Sequence, residues 1–150
     1  MLFRSFYTRY IDDIFMIWEH GEVELNGFIT QFNNVHPTIK FTSNVSNTTL
    51  PFLDVQVSLI NSSISTSVYT KPTDRPSYVH YNSFHPHHTK NSIVYSQALR
   101  YKRICSNPTD LNEKLQLLKE QFIIRGYPIR LINQNIQKAY HFHKYKYSPE

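Results

Sequence analysis

Two adjacent carboxylates, Asp12 and Asp13, lie between the apolar runs Leu2 to Tyr10 and Ile14 to Trp18. Like charges side by side repel, and the repulsion is relieved when a cation neutralises them. Mg²⁺ suits such a pair, because it takes oxygen ligands and is usually held by one or two carboxylates together with substrate phosphates. The chemistry open to Tyr10-Ile11-Asp12-Asp13 is therefore metal chemistry on a phosphate-bearing substrate. An acidic turn on a solvated surface is the plain alternative, since four residues alone are a weak motif. Holding both acids at a tip needs two short strands, and the unbroken run Ile14-Phe15-Met16-Ile17-Trp18 suits a strand covered on both faces.

Further blocks follow in order: Leu50-Pro51-Phe52-Leu53-Asp54-Val55, Tyr69 to Arg75, His80 to Pro86, Ser96 to Arg103, and Arg125-Gly126-Tyr127-Pro128. Together with the Tyr-x-Asp-Asp turn, this series resembles the reverse transcriptases of Penelope-like retroelements downstream of their catalytic hairpin. The resemblance runs over nearly the whole chain. It implies an RNA-directed DNA polymerase fragment, Mg²⁺-dependent in the complete enzyme, that holds an RNA/DNA template-primer duplex. Asp12 would then be the stronger metal ligand, Asp13 the supporting one, and Tyr10 a neighbour of the primer end. Lys40 falls where the family places a basic residue near the triphosphate, although by itself it reads as a solvated strand-edge lysine. The family's first metal aspartate and its fingers would precede Met1. The isolated chain is accordingly expected to be inactive, and Asp12-dependent primer extension by the purified protein would contradict that expectation.

The chain has 150 residues, enough for one compact domain or two small ones sharing a surface, and too few for a whole polymerase. Its net charge of +5 is unevenly spread, with −3 over residues 1–70 and +8 over residues 71–150. The basic half is interleaved with tyrosines, the combination by which cations neutralise phosphates and rings stack on bases. A single cysteine, Cys105, rules out an intrachain disulfide and suits a reducing, intracellular compartment, nucleus or cytoplasm. No apolar run approaches the roughly 20 residues that span a bilayer, which removes a membrane partner.

Leu25, Phe28, Ile29, Phe32 and Val35 recur at helical spacing and predict an amphipathic helix ending before Pro37. Ile39, Phe41 and Val45 alternate as a strand, as do Leu53, Val55, Val57 and Leu59, with Asn61-Ser62 as a turn and Ile64 to Tyr69 as the hairpin partner. The expected class is α+β: a partial antiparallel palm sheet with one covering helix over residues 1–70, a connecting loop over 71–88, and a three-helix, thumb-like bundle over 89–150. Thr89 is a candidate cap for the first helix of the bundle. Asn107-Pro108 marks the second start, with Leu111, Leu115, Leu118 and Phe122 as its buried stripe. Gly126 stops that helix, and Pro128 opens the next, with Ile129, Ile132, Ile136 and Ala139 or Tyr140 facing inward.

His80, His85, His87, His88 and Cys105 lack the paired short spacing of a zinc site. In the resembled family this block lies near the duplex, so Lys71, Arg75, His85, Lys90, Arg100 and Arg103 are the candidates for phosphate contact, which positions a duplex without reading it. Another class fits the same helices. The last two form a helix-turn-helix-like pair, and Arg130, Asn133, Gln134 and Gln137 are suitable types for a major groove, making the chain a DNA-binding module with a vestigial palm. A retroelement remnant without a role is the third reading.

Overall fold

The computed structural model describes residues 6–74 and 77–142. The protein is α+β, with two small antiparallel sheets followed by a helical bundle. β1 (Tyr7–Tyr10) and β2 (Asp13–Met16) pair with Tyr10 opposite Asp13, so Ile11 and Asp12 are the two residues of a tight turn. Ile11 takes φ 53°, a left-handed conformation that a β-branched side chain adopts only under strain. Helix α1 (Glu22–Asn34) follows. It buries Leu25, and Phe28 packs on Trp18 at 5.4 Å while Phe32 packs on Phe41 at 4.7 Å.

The second sheet has the order β3 (Thr49–Phe52), β4 (Val55–Ile60), β5 (Ser63–Val68). Pro51 is tolerated because β3 is an edge strand. The predicted Asn61-Ser62 turn forms, with φ of 49° and 62° at its two central residues, the type I′ pattern that matches strand twist. Two strand expectations fail. Leu53 and Asp54 are the turn between β3 and β4, with Leu53 at φ 55°, and are not the start of a strand. Residues 39–46 form no strand at all. The reason lies in their backbone partners. Asn33 Oδ1 accepts from Phe41 N at 2.6 Å and Asn33 Nδ2 donates to Phe41 O at 3.1 Å, so these groups are spent on the end of α1 and not on a ladder.

α2 (His87–Ile104), α3 (Pro108–Ile124) and α4 (Ile129–His141) make the bundle. α2 begins ahead of the expected cap, with Pro86 at the N-cap position and Thr89 inside the helix. Asn107 caps α3 as its type predicts, its side chain accepting from Thr109 N at 2.9 Å. The α3 stripe Leu111, Leu115, Leu118 and Phe122 is buried as expected, with Val94, Ala98, Tyr101, Ile132 and Ala139 around it. Ile129 is the exception, 56% exposed in the first turn of α4. Val68 of β5 joins this core, so the second sheet and the helices share it. The corner between α2 and α3 also covers the free edge of β5. Ser106 N donates to Thr66 O at 2.9 Å, and Thr66 Oγ1 donates to Ile104 O at 2.6 Å.

Candidate nucleic-acid interface

Three sets of contacts hold the α3–α4 pair in place. At the end of α3, Gly126 takes φ 79°, Gly126 N donates to Ile123 O at 2.9 Å and Tyr127 N donates to Phe122 O at 3.0 Å. This is a Schellman turn, completed by the Phe122–Tyr127 ring contact at 4.8 Å. A side chain at position 126 would need an unfavourable φ and would meet His80 Cε1 at 3.2 Å. The stretch 77–86 therefore lies against the turn. Tyr81 N donates to Arg125 O at 3.0 Å, Tyr78 stacks on Phe122 at 4.4 Å, and Tyr81 sits 5.1 Å from Tyr127. Burial pushes the Tyr78 and Tyr127 phenols above their ordinary range, with Tyr101 adding to the shift at Tyr78 and Tyr81 at Tyr127. Both rings stay neutral packing elements. At the far end, Lys102 Nζ donates to Tyr140 O and to Phe142 O, a cation on the C-terminal carbonyls of α4, where the helix dipole favours it.

On α4 itself, Ile132 and Ala139 face the core, with Leu131 and Ile136 beside them. Arg130, Asn133, Gln134 and Gln137 are all exposed. Their spacing of three, four and seven residues places them on one stripe. None of these four side chains has a hydrogen-bond partner among the described residues, whereas Asn135, off the stripe, donates back to Leu131 O at 2.9 Å. The helix has no acidic residue. The stripe can therefore donate to and accept from a ligand without first breaking bonds within the protein.

The cations singled out from sequence fall into different positions. Arg103 is exposed on α2 and free of partners among the described residues, and Lys71 is exposed after β5. His85 is exposed, with Nδ1 2.9 Å from Ser83 Oγ. Arg100 is ion-paired to Asp54, tying the β3–β4 turn to α2; both side chains are 43% exposed. Lys90, expected on a phosphate, is buried. It is 5% exposed, donates to Tyr81 O at 2.8 Å and Ser83 O at 3.1 Å, and stands over the Tyr81 ring, so it fastens the 77–86 stretch to α2 and cannot reach a phosphate. Arg75 lies outside the described residues. Lys114, Lys119 and Arg125 were not singled out, and their side chains form no hydrogen bond or ion pair among the described residues. Their signal in the sequence is positional: each lies on or just after the helix that precedes the Gly126 turn.

At the other end of the molecule, Tyr10, Asp12 and Asp13 are exposed at the hairpin tip. Lys40 Nζ donates to Asn33 O at 2.5 Å and His36 O at 3.4 Å, capping the C-terminus of α1. Among the described residues no group of three or more His, Cys, Asp or Glu side chains converges on a possible metal position. Two adjacent exposed carboxylates fit Mg²⁺ shared with phosphate oxygens, and do not fit an all-protein cage. Among the described residues no helix is long and apolar enough to cross a membrane.

Residues 77–137 match the animal helix-turn-helix domain. The match takes in α2, α3 and most of α4, and begins ten residues before α2, inside the segment read from sequence as a connecting loop. Tyr78, His80 and Tyr81, within that early part, pack on the turn. The matched residues 77–137 carry eight Lys or Arg against three Asp or Glu. No curated protein and no solved structure matches the chain.

Proposed function

We propose that this protein binds duplex nucleic acid through its helix-turn-helix domain, with α4 as the helix that enters the major groove. The observation that carries the reading is the free stripe Arg130, Asn133, Gln134 and Gln137, aimed away from the core on the second helix of a Gly-containing turn. The excess of cations in the same segment supports it, since phosphate contact supplies most non-specific affinity. Replacing all four stripe residues by alanine is expected to weaken binding of a DNA duplex selected by the intact protein from a random pool at least about tenfold, as loss of a few base contacts requires. Fluorescence anisotropy checks the affinity and circular dichroism the helix content. Unchanged affinity in the folded variant would reject α4 as the contact surface.

A second reading places this domain in a larger enzyme: the chain is the C-terminal palm and thumb part of a Penelope-like reverse transcriptase. It is supported by the two-residue hairpin that presents Asp12 in the turn and Asp13 beside it, with Ile11 held in a strained conformation of the kind that gathers at functional sites. Phe15 of the hairpin packs on Phe52 of β3 at 5.5 Å, which fixes the acids relative to the second sheet. In the complete enzyme Mg²⁺ would be held by Asp12 and Asp13 and would neutralise phosphate charge, while the basic bundle keeps the template-primer duplex in place. The two readings share the basic bundle as a grip on phosphates and differ at α4, whose entry into a major groove requires a B-form duplex and not the A-like RNA/DNA hybrid of a template-primer. Gripping a duplex downstream of the hairpin is work that a helix-turn-helix domain can do.

A further inference from the structure

We infer that α4 selects a short B-form DNA site with a guanine at the end contacted by its first turn and adenines after it. This rests on α4 being the groove-entering helix and goes beyond it by naming the bases. The donors and acceptors on the stripe distinguish the bases. Arg130 carries a fork of N–H donors that matches the paired acceptors O6 and N7 of guanine, whereas Asn133, Gln134 and Gln137 each offer one acceptor and donors, the complement of adenine N6 and N7. Nothing on α4 is a carboxylate, so the helix has no strong acceptor for the cytosine amino group.

Order follows from geometry. Arg130 is the second residue of α4 and Gln137 lies seven residues further on. At 1.5 Å per residue the stripe covers about 10 Å, which is about three base pairs at 3.4 Å each. In helix-turn-helix docking the N-terminal residues of the second helix meet base edges, so the guanine lies at the Arg130 end. The exposed Ile129, beside Arg130 and one turn before Asn133, is a suitable apolar contact for a thymine methyl near that guanine. These partners exist together only in a wide, accessible major groove. The deep, narrow groove of A-form RNA does not admit the helix, so the preference should vanish on duplex RNA.

The test is selection by the full 150-residue chain from a pool of DNA duplexes randomised over one helical turn, followed by affinity measurements on the recovered site and its single-base variants. The expected site has one guanine next to an adenine-rich run, and Arg130→Ala removes the guanine preference by about 5- to 150-fold while the adenine positions keep theirs. Gln134→Ala should do the reverse. Recovery of duplexes with no common site would overturn the inference and leave duplex binding standing. So would an Arg130→Ala variant that loses affinity equally for every sequence, because Arg130 would then be on a phosphate. Failure to bind any duplex would overturn both this inference and the function it rests on.

Discussion

Replacing Phe122 by alanine is expected to cost about 3–5 kcal/mol, the range for deleting a fully buried ring, and so to remove the cooperative unfolding transition of the bundle or leave it barely above threshold. Phe122 is wholly buried, with Tyr78 stacked on one side and Tyr127 edge-on at another. The cavity would open where three pieces meet: the last turn of α3, the Gly126 turn and the 77–86 stretch. Relaxation cannot fill it cheaply, because Tyr127 is fixed by its N–H on Phe122 O and Tyr81 by its N–H on Arg125 O. A domain of this size has a total stability of about 5–15 kcal/mol, toward the low end for short chains, so the loss is a large share of the whole. Chemical denaturation followed by circular dichroism measures it. Leu117→Ala is the control, since Leu117 is 51% exposed on the same helix and its truncation should stay within about 0.5 kcal/mol. Equal midpoints for the two variants would show that the ring does not anchor the turn.

The same residues show why some of the fold was legible in the sequence and some was not. The α3 stripe and the Asn107-Pro108 start are local signals, complete within one helix, and they correspond to the observed element. Gly126 was legible for the same reason: only the last turn of α3 decides its conformation. The Asp12-Asp13 hairpin was readable because the apolar runs on either side fix where the turn must come. Leu53 was not. A bulky aliphatic at positive φ carries no turn signature, and alternation alone assigns it to the strand that it precedes. Residues 39–46 show how the apolar pattern of a strand is insufficient when a side chain elsewhere, here Asn33, satisfies the backbone first.

At the candidate interface, cations were legible as a class and not as individuals. Lys90 differs from Arg103 only in that carbonyls of Tyr81 and Ser83, nine and seven residues upstream, are brought within reach of its ammonium. That encounter depends on the 77–86 stretch folding back onto the Gly126 turn, and no periodicity in the stretch announces it. The polar stripe on α4 was legible because 130, 133, 134 and 137 are neighbours on any helix. Its lack of internal partners was not, since Asn135, two residues from Asn133, bonds back to its own helix. Cys105 is a free thiol packed between helix and sheet, its ionisation pushed up by burial.

Duplex affinity is expected to fall about 150-fold between 50 and 200 mM monovalent salt, with a slope of log K against log salt near −3.6, if roughly four phosphates are neutralised. The number of phosphates comes from which cations are available. Of the basic residues in the helix-turn-helix domain, Lys90 is buried, Arg100 is paired with Asp54 and Lys102 is spent on the carbonyls of α4. Arg103, Lys114, Lys119, Arg125 and Arg130 remain. Arg130 is assigned to a base, which leaves four for the backbone, so Arg130→Ala should leave the slope nearly unchanged. Lys119→Gln and Arg125→Gln, if each contacts one phosphate, should each reduce it by about 0.9. The sign is fixed by counterion release: cations displaced from the duplex on binding must be returned to a more concentrated solution as salt rises. Anisotropy titrations at several salt concentrations read the slope directly. A flat dependence would mean that the surplus positive charge of this half of the chain never meets the phosphate backbone, and the bundle would then have to be a scaffold for the hairpin sheet and not a grip on nucleic acid.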